Sequence, residues 1–159
     1  MKRVLSFALS LVMLMSITGG LGLTAYAGDT YYETEDNDDY SSADYVPVNS
    51  TIYGVCREYD SDWYKFTLSS SAKVNVQFSF NRADADGDWD VYLYKYDGNG
   101  DYTQLEYKDV YVYDGSYTFS SLGLPAGTYF VKVYGYNSAC GRQYSICLLY
   151  TSPSPRDPK

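Results

Sequence analysis

Residues 73–80 alternate apolar and polar side chains without a break: Val74, Val76, Phe78 and Phe80 fall on one side, Asn75, Gln77 and Ser79 on the other. Successive side chains of an extended chain point to opposite faces, so this run predicts a strand with one buried and one wet face. The same period recurs at 63–68, which groups Tyr64, Phe66 and Leu68, and at 90–96, which sets Val91 and Leu93 against Tyr92, Tyr94 and Tyr96. Both read as antiparallel strands. Further runs cover 103–113, 117–122, 127–136 and the chain from Tyr144 onward. Between them stand Asp97-Gly98-Asn99-Gly100, Asp114-Gly115 and Leu124-Pro125-Ala126-Gly127, which is turn chemistry. No long stretch shows apolar spacing of three and four, and β-branched and aromatic residues dominate. The expected class is all-β, an antiparallel sandwich of about seven to nine short strands with no internal repeat.

The two ends lie outside that pattern. Lys2 and Arg3 precede an apolar run over 4–23 and then Ala25-Tyr26-Ala27, a small-x-small cleavage site, so residues 1–27 read as a secretory signal peptide. The expected mature chain starts near Gly28, is secreted or held at the cell surface, and has no membrane span once the signal is cleaved. At the other end, residues 147–157 resemble the in-frame translation of a transposase-type sequencing adapter; a natural Ser/Pro-rich tail is the alternative. Either way the single domain is expected over 28–146, with an acidic, extended lead-in over 28–44.

The chain carries a net charge of −8 and no histidine. Acidity disfavours nucleic acid as a partner and favours a bound cation. Without histidine, serine and cysteine nucleophiles lack their usual base and zinc its commonest nitrogen ligand, and the acidic residues do not flank an evident apolar cleft. No enzyme activity is expected within 28–146. Setting the tail aside leaves Cys56 and Cys140, for which a disulfide and two separate thiols are both compatible with an oxidising compartment.

Four segments in order carry a resemblance: Glu33-Thr34-Glu35-Asp36-Asn37-Asp38 with Ala43-Asp44 behind it; Gly54 followed by Asp60-Ser61-Asp62-Trp63-Tyr64-Lys65-Phe66; Asp88-Trp89-Asp90-Val91-Tyr92-Leu93-Tyr94; and Leu124-Pro125-Ala126-Gly127-Thr128-Tyr129-Phe130-Val131-Lys132-Val133. Together they make 33–146 similar to the bacterial pre-peptidase C-terminal domain, a family related to the collagen-binding domains of clostridial collagenases. The resemblance implies a jelly-roll-like β-sandwich, no catalytic residues of its own, and accessory duties beside secreted hydrolases. Family members usually follow a protease domain, whereas here the module follows the signal peptide. It reads as the first module of a longer protein with a further downstream domain, or as a stand-alone one.

Calcium takes six to eight oxygen ligands. Glu33, Glu35 and Asn37 alternate along an extended segment and are expected to project to one side; Asp60 and Asp62 stand likewise two apart ahead of a strand. In the calcium-binding relatives the matching stretches supply ligands, which adds Asp38 to the candidates, although its opposite parity requires a bend. A solvated linker is the plain alternative for such an acidic run. Asp84, Asp86, Asp88 and Asp90 fail as an EF-hand, because Gly87 comes fourth, not sixth, and Lys95 holds the twelfth place. That segment reads as a polar loop entering a strand, with a minor calcium site as the alternative.

Tyrosine is the most unusual feature of the composition, at 21 residues. On strands only half of them can face a core, so Tyr92, Tyr94 and Tyr96 are candidates for an exposed ligand-binding face; β-propensity alone is the alternative. The expected function is a non-catalytic, calcium-steadied accessory module that contacts an extracellular polymer or protein surface. A structural spacer, or a fragment of a secreted hydrolase, is the runner-up.

Overall fold

The computed structural model describes residues 28–57, 60–81, 88–111, 113–136, 139 and 141–151. The expected signal peptide, Asp84, Asp86, Cys140 and the residues after Thr151 lie outside the described residues. Among the described residues there are ten strands and no α-helix: β1 (Asp29–Tyr32), β2 (Asp44–Tyr45), β3 (Ser50–Val55), β4 (Ser61–Leu68), β5 (Ala72–Phe80), β6 (Asp88–Gly98), β7 (Asp101–Tyr111), β8 (Ser116–Leu124), β9 (Gly127–Gly135) and β10 (Gln143–Thr151). They form two sheets, one ordered β1-β3-β10-β5-β8 and the other β2-β4-β9-β6-β7.

The alternating runs become strands as expected, and their parity sets the core. Val74, Val76 and Phe78 of β5 and Val91 and Leu93 of β6 are buried between the sheets, together with Tyr64, Phe66 and Leu68 of β4. Trp89 is the largest fully buried side chain and lies against Phe80, with ring centroids 4.3 Å apart. The β6–β7 hairpin turns where Gly98, Asn99 and Gly100 take φ of 94°, 55° and 89°, the left-handed region open to glycine and asparagine.

Three expectations need correction. Among the described residues strands number ten instead of seven to nine, because the acidic lead-in contributes two short ones, β1 and β2. These lie at sheet edges with mostly exposed side chains, so no alternation announces them. Nor is the sandwich wholly antiparallel: β1 pairs parallel with β3 and β2 parallel with β4. Finally, the last strand does not stop at Ile146. β10 sits between β3 and β5, and Cys147 to Thr151 continue the ladder against residues 73–77, with Leu148 in the core.

β1 and β3 belong to one sheet and β2 and β4 to the other. The connections from β1 to β2 (33–43) and from β3 to β4 (56–60, with 58–59 outside the described residues) therefore cross the same end of the sandwich. Backbone bonds tie crossing 33–43 to both sheets: Glu33 N donates to Tyr53 O of β3 at 3.0 Å, and Trp63 N of β4 donates to Asn37 O at 3.0 Å.

Candidate metal centre and aromatic face

The two crossings bring the acidic candidates together. Glu35, Asp38 and Asp60 each offer a carboxylate oxygen within 4.8 Å of the others, so the chain bends enough for Asp38 to join despite its parity. Glu35 also accepts an ion pair from Arg57 Nε at 3.1 Å. Asp60 is fixed by backbone donors, Arg57 N at 3.1 Å and Ser61 N at 2.9 Å. Asn37 and Asp62 are fully buried beside this group.

Glu33 alternates inward with Glu35 and Asn37, between the exposed Thr34, Asp36 and Asp38, but is not one of the three clustered carboxylates. It faces inward, where Oε1 accepts from Val55 N at 2.6 Å and Oε2 from the Tyr64 hydroxyl at 2.9 Å. Tyr64 and Tyr144 hydroxyls meet at 2.5 Å, and Tyr144 in turn donates to Asp62 Oδ2. Gly54 permits this network, since a Cβ there would overlap Tyr64 Oη, Glu33 Oε2 and the Tyr144 ring. Asp44, unmarked as functional in the sequence, orders the lead-in by accepting from Thr34 N at 2.7 Å and Asn37 Nδ2 at 3.4 Å.

So much acid at one place perturbs itself. Burial pushes the Asp62 carboxyl up to about 8, with Glu33, Asp60 and Glu35 adding to the shift and the Tyr144 hydrogen bond opposing it. Burial also raises Glu33 and Glu35, and Asp38 is raised first by its hydrogen bond to Asp60. Two oxygens here, Asn37 Oδ1 and Asp62 Oδ1, are buried without any hydrogen-bond partner. A buried orphan oxygen costs on the order of 1–3 kcal/mol, and these two lie at the same end of the sandwich as three carboxylates that could hold a metal ion. The donor set is all oxygen, the chemistry of a hard divalent ion.

The second candidate set lies on the outer face of the other sheet. Tyr92, Tyr94 and Tyr96 project away from Val91 and Leu93, each half-buried. Tyr92 and Tyr94 stack with centroids 5.8 Å apart and planes at 13°, and Tyr94 stacks on Trp63 at 5.5 Å. Tyr96 belongs to the hairpin, its hydroxyl accepting from Gly100 N at 3.1 Å.

Several neighbours were not singled out by the sequence. Asp90 is buried and accepts three phenols: Tyr92 at 3.0 Å, Tyr107 at 2.8 Å and Tyr136 at 3.1 Å. Lys132 Nζ stands over the rings of Trp63, Tyr92 and Tyr134 at 5.5, 5.6 and 5.8 Å, and burial lowers its pKa. Trp63 and Phe130 are buried although they face away from the main core, because Tyr40 of the lead-in packs on both. Outward parity of Trp63, Asp90, Phe130 and Lys132 was the available signal, and only the sheet order shows that they converge.

Cys56 is a free, buried thiol whose Sγ accepts from Trp89 Nε1 at 3.2 Å, and burial pushes its pKa up. Its suggested partner, Cys140, lies outside the described residues.

Residues 60–135 match the family described as bacterial pre-peptidase C-terminal domain. No curated protein matches the chain. Among solved structures, the pre-peptidase C-terminal domain of a collagenase from Bacillus anthracis superposes with a TM-score of 0.50 at 20% identity, covering 67% of this chain and 93% of that one. The Yersinia pseudotuberculosis-derived mitogen gives a TM-score of 0.46 at 13% identity, covering 67% and 87%. PliG of Aeromonas hydrophila, a periplasmic inhibitor of g-type lysozyme, gives 0.44 at 16%, covering 67% and 96%. Residues 60–135 of this β-sandwich thus match the bacterial pre-peptidase C-terminal domain family, and the collagenase domain has the same fold.

Proposed function

We propose that this chain is an exported, non-catalytic accessory module whose lead-in is steadied by a calcium ion and whose tyrosine face contacts a polymer or protein surface. The family supports the accessory role. The observation that carries the calcium reading is the pair of buried, unpartnered oxygens, Asn37 Oδ1 and Asp62 Oδ1, beside the Glu35, Asp38 and Asp60 cluster. Those five residues would hold the ion, and Glu33 would act behind them by fixing Tyr64. Bound calcium would neutralise the mutual repulsion and tie crossing 33–43 to crossing 56–60. The tyrosine face is the reading for contact because its rings are already ordered by Asp90 and Lys132, which lowers the entropy lost on docking.

Titration calorimetry with calcium chloride tests the ion site. The parent chain is expected to bind, and Glu35→Gln combined with Asp38→Asn to lose at least about tenfold in affinity, since two charged ligands of an oxygen site are removed. Equal affinity in parent and variant would place the ion elsewhere.

A further inference from the structure

The outer face of the other sheet is a different surface from the tyrosine face, and its chemistry is distinct. Cross-strand register aligns Tyr32 of β1 with Tyr53 of β3, Tyr53 with Ser145 of β10, and Ser145 with Ser79 of β5. These four side chains share outward parity and form a row that crosses the strands. Two adjoining clefts follow the row. One, of about 270 Å³, is bordered by Tyr53, Ser79, Gln143 and Ser145, and the other, of about 440 Å³, by Thr30, Tyr32, Tyr53 and Gln143. Tyr32 is 71% exposed, and its ring stacks on Tyr53 at 5.8 Å with planes at 27°.

Among the described residues, none that lines either cleft is charged, in a chain whose net charge is −8. What the row offers is flat aromatic area at one end, then hydroxyls and an amide that both donate and accept hydrogen bonds. We infer that this row is a binding site for an uncharged glycan chain. A pyranose ring has an apolar C–H face that stacks on a tyrosine, and its hydroxyls donate and accept as those of Ser145, Ser79 and Thr30 do. Neighbouring strands lie about 4.8 Å apart, comparable to the length of one sugar ring, so a chain crossing the strands meets one side chain per residue. The chain's net negative charge disfavours an anionic glycan, and the neutral lining gives a cationic one no direct counter-charge.

The test titrates purified chain with cellohexaose, laminarihexaose and chitohexaose, with hexagalacturonate as the anionic control and a (Pro-Pro-Gly) repeat peptide as the polypeptide control. Heat and tyrosine-ring chemical shifts are followed. Binding of at least one neutral hexasaccharide is expected, weakened at least about tenfold by Tyr32→Ala and by Gln143→Ala, and unchanged by Tyr92→Ser with Tyr94→Ser. Tyr32 and Gln143 are exposed, so both single variants should fold, which circular dichroism checks. Three results would each overturn the assignment: no hexasaccharide bound at millimolar concentration, binding indifferent to Tyr32 and Gln143, or binding of the peptide or hexagalacturonate in place of the neutral sugars. Loss of binding in the Tyr92 and Tyr94 variant alone would move the glycan to the face proposed above.

Discussion

Asp62 shows how far one residue's meaning depends on what the fold places around it. In the sequence it is one of two aspartates ahead of a strand. In the fold it is a fully buried carboxyl with one oxygen on Tyr144, the other unpartnered, and a pKa raised to about 8 from 3.8. A carboxyl whose folded pKa exceeds its unfolded one binds more protons in the native state. Its contribution to stability is therefore full below about 4 and is lost as pH rises toward about 8. Thermal melts in chelator are expected to fall in midpoint across that window, and Asp62→Asn to flatten the slope; a midpoint that rises through the window would contradict the assignment. Gly54 makes a sharper case. Gly54→Ala drives a methyl into Tyr64 Oη, Glu33 and Tyr144, and overpacking of this kind costs about 1–3 kcal/mol, measurable by urea unfolding.

Strands β4, β5 and β6 were legible because their alternation is a direct image of two-sided burial: Val91 and Leu93 are fully buried while Tyr92 and Tyr94 face out. That parity carries a prediction. Leu93→Ala should cost about 2–5 kcal/mol, whereas Tyr92→Ser with Tyr94→Ser should leave the circular dichroism of the sandwich intact and abolish retention on whichever of gelatin or collagen holds the parent. Retention that survives the double substitution would remove this face from the account. Alternation could not announce β1, β2 or the end of β10. The first two are edge strands with one-sided pairing, and β10 continues through Cys147-Leu148-Leu149, whose relevance lies in a ladder with β3 and β5 far away in the sequence. Partners of the candidate site were hidden for the same reason. Alternation along 33–37 suggested one shared side, and the exposures follow it, but the partners that hold Glu33, Tyr64 and Val55, are brought near only by the sheet arrangement.

At the scale of the whole molecule, the sandwich is closed at one end by two acidic crossings, and their mutual repulsion is the weak point of an otherwise apolar assembly. Crossing 33–43 also carries Tyr40, which covers Trp63 and Phe130 on the outer face, so loosening the acidic cluster would loosen that cover as well. A cation that binds only the folded state stabilises by mass action, about 2.7 kcal/mol at a hundredfold excess over its dissociation constant, which for a domain of this size raises the melting midpoint by several degrees. The most direct test is the thermal midpoint of the chain with and without millimolar calcium, alongside Glu35→Gln with Asp38→Asn. The account predicts a rise in the parent that chelator reverses and the double variant lacks; an identical midpoint with and without calcium in the parent would contradict it.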